Sequence, residues 1–458
     1  MSAPRRSRTA SQMLGSFAEL KVKWQLWCEE EGVNDPPNLV KVDSVKRARH
    51  SVVPIVEQSP EEYVKLCSVD NQAEEAQRDS TTTILVQFEN VEPFALKGVQ
   101  VQGKLVSAPL SCAVGRIIEF YPSITTLKLI KCSLVAESIH LLGYLLQNSS
   151  VTHLYLDENA IAYQNYYLIL ENNEKLLHFS LRLNMINDCG AEYLGRSLQY
   201  KHPHHQILRS LNLNCNLIDD EGACALAKAL RWNRNLTCLA LAGNRIGDKG
   251  GIALARMFLP FQLTQQELEF RAELLCNRLL EVKTAMEESA RNSKKATSKE
   301  NIDEKGQPPE YPGESGDLND VMLYYYNLEK WAEDKVPLVT NPIVSDVIET
   351  EDGNYLSKGN DALWYLNLSY NLITEDALLV FAEAFRHQES SIAEFDRKLW
   401  GFLYEGNPYD PDHPVIEELE TYLNPHRSKM SLQGQGDGSR KGSKASLKSR
   451  KSVIEKKT

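Results

Sequence analysis

A nine-residue phrase recurs seven times in this chain, and its spacing constrains the fold more than any other feature. It reads apolar, two variable, apolar, variable, apolar, two variable, then Asn or Cys. The copies are ITTLKLIKC from Ile124, VTHLYLDEN from Val151, LLHFSLRLN from Leu176, LRSLNLNCN from Leu208, LTCLALAGN from Leu236, LWYLNLSYN from Leu363 and LWGFLYEGN from Leu399. Their ninth positions stand at 132, 159, 184, 216, 244, 371 and 407, so the steps are 27, 25, 32, 28, 127 and 36. Alternating apolar positions suit a half-buried strand. Four phrases are followed, two positions on, by an isoleucine: Ile186, Ile218, Ile246 and Ile373. Asp188 with Gly190, Asp220 with Gly222 and Asp248 with Gly250 then read as a helix N-cap and a tight packing position. Leu194 and Leu198, Leu226 and Leu230, and Leu254 and Phe258 supply the helical spacing. Each unit is strand, turn, helix. Such a unit cannot bury its apolar face alone, so the sequence predicts an α/β solenoid of about seven units, curved by stacking.

The ninth residue has a physical task. Asn159, Asn184, Asn216, Asn244, Asn371 and Asn407 stand where the chain leaves the strand, and a buried amide there can bond backbone groups that have no ladder partner. Cys132 takes the place in the first unit, where some of those bonds are expected to go unmade. Side chains alternate along a strand, so the third, fifth and seventh positions are expected on the concave face. The polar and aromatic residues there are His153, Tyr155, Asp157, His178, Ser180, Arg182, Ser210, Asn212 and Asn214, with Tyr365 and Asn367 after the long step. Asp157 and Arg182 are expected to point to solvent. The fifth unit presents Cys238, Ala240 and Ala242, small enough for a partner to approach closely.

The stretches LNLNCNLIDDEGACALAKAL at 211–230 and LALAGNRIGDKGGIALARM at 239–257 resemble the ribonuclease-inhibitor class of leucine-rich repeats, in which each strand is paired with a true helix. The resemblance covers roughly residues 120–260 and 360–415. It implies a horseshoe that binds protein partners, and proteins of this sort are often found in ciliated cells. It implies no chemistry.

Between the fifth and sixth units, residues 261–360 break the repeat. Leu263 to Met286 is predicted as a long helix with Leu268, Leu275, Leu279, Val282 and Met286 on one stripe. A polar segment rich in Pro and Gly follows and reads as a disordered loop. Val321 to Trp331 then returns to order and carries Tyr324, Tyr325 and Tyr326, of a type enriched at interfaces. Residues 1–60 read as mostly disordered, with Phe17, Leu20, Trp24 and Trp27 forming a short amphipathic helix. The segment 31–60 reads as linker, so that helix is expected to be detached and free for a partner. Residues 80–120 are expected to cap the solenoid, 121–260 to hold units one to five, and 361–425 units six and seven with a second cap. Residues 426–458 form a basic tail.

Composition excludes several classes. The net charge is −11, yet from Arg427 onward ten Lys or Arg face only Asp437 and Glu455, which leaves the body near −19. An acidic body argues against nucleic-acid binding by the main fold, whereas the tail suits an acidic surface such as tubulin, nucleic acid or anionic lipid. Nine cysteines without a CxxC pair fit reduced thiols in an intracellular, cytoplasmic protein. No apolar run of signal or membrane-spanning length occurs. RRSRTAS near the start is a candidate phosphorylation segment.

Chemistry is sparse. His153, Asp157, His178 and Ser180 combine base, acid and hydroxyl, but an open strand face lacks an oxyanion hole. His202, His204 and His205 lack further metal ligands at fixed spacing. GNRIGDKGG at 243–251 fails the phosphate-loop pattern. The sequence thus predicts no catalytic residue, no metal, no cofactor and no small-molecule substrate. It predicts a non-enzymatic scaffold for a protein partner. An inhibitor-like regulator of a soluble enzyme or signalling protein is the alternative.

Overall fold

The structure, a computed structural model, describes residues 17–34, 36–43, 83–88, 96–103, 108–171, 173–199, 207–295, 309, 318–336, 341–390, 399 and 401–433. The phosphorylation segment, the cluster at His202, most of the disordered loop expected over 290–317 and the basic tail from 434 lie outside these residues, whereas 290–295 and 426–433, expected to be disordered, belong to helices Gln265–Lys295 and Pro414–Gln433.

Ten strands form one sheet in the order β1 (Asn38–Asp43), β2 (Thr83–Phe88), β3 (Leu96–Gln102), β4 (Thr126–Ile130), β5 (His153–Tyr155), β6 (His178–Ser180), β7 (Ser210–Asn212), β8 (Cys238–Ala240), β12 (Tyr365–Asn367) and β13 (Gly401–Leu403). Every pairing is parallel except β2 with β3. The helices are α1 (Phe17–Glu30), α2 (Ala108–Phe120), α3 (Ala136–Gln147), α4 (Tyr167–Glu171), α5 (Asp188–Leu198), α6 (Asp220–Leu230), α7 (Asp248–Arg256), α8 (Gln265–Lys295), α9 (Leu318–Lys335), α10 (Pro342–Ser345), α11 (Glu375–Ser390) and α12 (Pro414–Gln433). Strands stack about 4.8 Å apart whereas helices need about 8–10 Å, so the sheet takes the inside of the curve.

The first, fourth and sixth positions of each phrase fill the core: Leu208, Leu211 and Leu213, Leu236, Leu239 and Leu241, and Leu363, Leu366 and Leu368 are all buried. Between these layers the asparagines stitch neighbouring units. Asn216 Nδ2 donates to Leu181 O (3.0 Å) and Leu213 O (2.9 Å), while its Oδ1 accepts from Asn184 N (2.9 Å) and Ile186 N (3.1 Å). Asn159, Asn184, Asn244, Asn371 and Asn407 also donate to a carbonyl of the preceding unit. Cys132 differs from the expectation of unmade bonds, because its thiol donates to Val101 O (3.5 Å) and Ile130 O (3.4 Å). At the eighth position every unit turns through a left-handed residue: Lys131, Glu158, Leu183, Cys215, Gly243, Tyr370 and Gly406. Five of these are not glycine, a cost of about 1–2 kcal/mol each that the Asn bonds on either side offset.

The acids expected to be N-caps act one unit further on. The caps are Asn187, Asp219 and Gly247. Asp188, Asp220 and Asp248 open their helices and reach across to the start of the next: Asp188 Oδ1 accepts from Asp219 N and Gly222 N, both at 2.9 Å, and Asp248 takes Thr374 N (2.8 Å) and Thr374 Oγ1 (2.6 Å).

Two expectations about the flanks are corrected. Helix α1 is not detached: Leu20, Trp24 and Cys28 are buried in the main core, Trp27 packs on Phe120, and Arg116 pairs with Glu30 (2.8 Å) and Glu31 (2.5 Å). Nor is 31–60 all linker, since β1 lies in it and pairs with β2, and Trp24 Nε1 donates to Pro37 O (2.8 Å). Aromatic and apolar residues at helical spacing found a core to cover.

The insertion loops out of an unbroken solenoid. Strand β8 pairs directly with β12, Cys238 opposite Tyr365, and Ile246 N donates to Asn371 Oδ1 (3.1 Å) as though no residues intervened. Asn233 and Asn360 show where the repeat resumes: each lies three residues before its phrase and accepts, through Oδ1, from the two backbone amides just before and at the phrase start. Besides α8 and α9 the insertion carries a small antiparallel sheet, β10 (Val347–Glu349), β11 (Tyr355–Ser357) and β9 (Phe261–Gln262), which the sequence reading lacked. It is anchored through Trp232, whose Nε1 donates to Glu267 (2.6 Å), and through Arg234, which pairs with Asp346 at 3.0 Å. Hydrogen bonds from Thr264, Trp232 and Arg231 bring the Glu267 carboxyl below its ordinary range although burial opposes them. Leu279 is exposed on α8 and its expected stripe-mates are half-buried; Tyr325 and Tyr326 are exposed on α9.

Candidate partner-binding face

Strands β4 to β6 place the expected contact residues side by side. His153 pairs in register with His178, and Tyr155 with Ser180. The two imidazoles stack at 4.3 Å, and Thr152 Oγ1 lies 2.8 Å from His153 Nδ1. Burial first, and then the neighbouring His178 and Lys128, pull the His153 pKa down to about 4, and burial lowers that of His178. Lys128 sits over the Tyr155 ring at 4.7 Å, and desolvation lowers its pKa against the pull of Asp157. Ser210 and Asn212 continue this half-exposed surface onto β7.

Other expected contact residues are used inside the fold. Asp157 does not point freely to solvent: its Oδ1 accepts from Ser180 Oγ (2.6 Å) and Arg182 N (3.1 Å), and burial raises its pKa despite those bonds. Asn214 does the same two units on, accepting from Ala242 N at 2.7 Å, and is 1% exposed. In the second and fourth units the seventh position thus supplies an acceptor to the next strand's end, a role that alternation along the strand cannot reveal. Arg182 is also drawn in, with Nε and Nη2 buried and lacking a hydrogen-bond partner. Ser180, Tyr365 and Asn367 are buried, as are Cys238, Ala240 and Ala242, so the inner face of β8 and β12 is closed where close approach was expected.

The arrangement does not support nucleophilic catalysis. The Ser180 hydroxyl donates to the Asp157 carboxylate and not to an imidazole, so the serine–histidine pairing that such catalysis needs is not assembled. Among the described residues no three His, Cys, Asp or Glu side chains gather as a metal site. A groove of about 1060 Å³ opens elsewhere, between α6, α7 and the start of α8, lined by Trp232, Phe261, Glu267, Ile343 and Val380.

Residues 204–227 and 233–255 match the family model described as "Leucine Rich repeat". The fold is a leucine-rich repeat solenoid. Among curated proteins, human NACHT, LRR and PYD domains-containing protein 2 is 34% identical over 82 residues, 18% of this chain and 7% of that protein. Among solved structures, an internalin (inlF) from Listeria monocytogenes aligns at 12% identity and a TM-score of 0.22, covering 71% of this chain and 85% of the internalin. Leucine-rich repeat solenoids present extended concave surfaces and generally act in protein–protein interaction. No described helix is long and apolar enough to cross a membrane.

Proposed function

We propose that the protein is a non-enzymatic scaffold that binds a protein partner on the concave face of β4 to β7, with the exposed apolar side chains of α8 and α9 as a second contact. The observation that supports this reading is the half-exposed cluster of Lys128, His153, Tyr155, His178, Ser210 and Asn212 on adjacent strands, beside a face at β8 and β12 that is closed. Aromatic and cationic groups held by a rigid sheet lose little entropy on binding. The order of repeats, insertion and flanks is similar to that of leucine-rich repeat-containing protein 71, and on that ground we place the scaffold in a ciliary or cytoskeletal assembly of the cytoplasm. The basic tail adds attraction to an acidic surface there.

The test is capture of partners from ciliated and unciliated cells by the full chain, by a Tyr155→Ala/Asn212→Ala variant, and by a chain without 263–355. Loss in the first variant alone supports the concave face, and loss in the second alone moves binding to the insertion. An equal set of partners from both cell types removes the ciliary placement. Capture of a single soluble enzyme whose turnover falls on binding favours the inhibitor-like alternative.

A further inference from the structure

We infer that the concave face of the first three units recognises an acidic, extended segment of the partner, held through Lys128 and Arg182. The inference rests on the concave face being the binding face and adds the chemistry of what it binds. Of the nine side chains at the third, fifth and seventh positions of units one to three, Asp157 is the one acid, and it is committed to Ser180 and to the Arg182 amide. Among the described residues no carboxylate forms an ion pair with either cation; Asp157 acts on both at longer range only. Lys128 rests on the Tyr155 ring, and Arg182 keeps two buried donors unspent. Buried guanidinium donors without acceptors are rare and costly, so turning the half-exposed Arg182 side chain outward to an arriving carboxylate gains new bonds and relieves that deficit.

Two strand spacings across and two residues along put the backbones at Lys128 and Arg182 roughly 12 Å apart. An extended peptide covers that in about three to four residues, so two carboxylates at that separation meet both cations. In register Tyr155 and Asp157 lie between the two cations: the Tyr155 ring supplies the floor, the Asp157 Oδ1 is already held by Ser180 and the Arg182 amide, and the stacked, neutral imidazoles of His153 and His178 flank the path at the third positions. The acidic body opposes a distant polyanion, but at physiological salt that field is screened within about 8 Å, so short-range contacts decide. A dense phosphate chain pays more of the repulsion than a peptide with two carboxylates, which favours a protein ligand over nucleic acid.

Fluorescence polarisation of the full chain with three labelled probes tests this. The first is a peptide pool with Glu at positions i and i+3, the second the same pool with Gln, and the third a single-stranded oligonucleotide of matched charge. The Glu pool should bind about tenfold tighter than the Gln pool, and Lys128→Gln or Arg182→Met should each remove about tenfold. Because the Arg182 donors are unsatisfied, Arg182→Met should leave the thermal midpoint unchanged or raise it, which separates lost recognition from lost folding. Equal affinity for both pools, absent binding of the Glu pool, tighter binding of the oligonucleotide, or Glu-pool binding that survives both substitutions would overturn the inference. If Tyr155→Ala/Asn212→Ala abolishes partner capture while Lys128→Gln and Arg182→Met do not, the concave face stands and the acidic ligand falls.

Discussion

Asp220 Oδ1 accepts from both Gly247 N and Gly250 N at 2.8 Å, so one carboxylate at the start of α6 satisfies two orphan amides at the start of α7. The bond is charge-assisted and lies at the positive end of a helix dipole. Asp220→Ala should cost about 1–3 kcal/mol, more than a local cap of the same kind. Asp219→Ala, which removes the bond to Glu221 N in its own helix and a side-chain contact with Asp188 but no bond to a following unit, serves as the comparison. Urea unfolding of both variants checks it, and equal losses would show that coupling between units adds nothing. Gly250 has no room for more: a Cβ there would stand 2.8 Å from Ala223 Cβ and 2.9 Å from Asp220 Oδ1, so Gly250→Ala should also destabilise.

Asn371 joins the two units after the insertion to the five before it. Its Nδ2 donates to Leu241 O and Leu368 O, both at 3.0 Å, and its Oδ1 accepts from Ile246 N. Asn371→Ala strands these buried backbone groups and should cost about 2–4 kcal/mol. A solenoid unfolds by neighbouring interfaces, so the loss should concentrate in residues 363–423. Hydrogen exchange read by mass spectrometry shows this as early labelling of that segment, and uniform labelling along the chain would contradict it.

The insertion should be removable. Gln262 already pairs with Leu356 and Phe261 with Ser357 in antiparallel register, and Asn360 N donates to Met257 O at 2.7 Å. Replacing 263–355 by Asn-Gly therefore closes a hairpin that the stems have already formed. Long excursions add little loop-closure cost, so the solenoid should keep its cooperative unfolding. Arg234 loses Asp346 in this variant and keeps Asp361 at 3.5 Å, so the thermal midpoint should fall modestly. Loss of a cooperative transition would mean that the insertion is part of the solenoid's core.

The phrase and its period were enough to read the fold, because position in the repeat dictates burial: Leu211 and Ile218 could be placed from spacing alone. Features that depend on the neighbouring unit were not legible. Asp188, Asp220 and Asp248 have the composition of a cap, and only the stacking shows that they serve the next helix. Asp157 and Asn214 occupy positions that alternation assigns to the open face, yet each bonds the following strand. The left-handed eighth position gave no signal because residues as unlike as Leu183, Glu158 and Tyr370 adopt it. Helix α1 was misplaced for a related reason: Leu20 and Trp24 mark an apolar stripe, and a stripe does not say what covers it.

The stacked histidines give the protein an acid-sensitive point. The His153 pKa falls from 6.5 to about 4 because burial, His178 and Lys128 all disfavour the imidazolium. The unfolded chain then takes up a proton between about pH 6.5 and 4 that the folded chain refuses, so stability drops as pH falls through that window and levels off below it. His153 is only about half-buried, and screening by solvent reduces the effect to about 1 kcal/mol. His153→Gln should therefore narrow the stability gap between pH 7 and pH 5, measured by urea unfolding at each pH. Proton NMR of the imidazole should show a His153 Hε1 resonance that stays constant down to about pH 5 and moves near pH 4. A midpoint near 6.5 would mean that the ring reaches water freely.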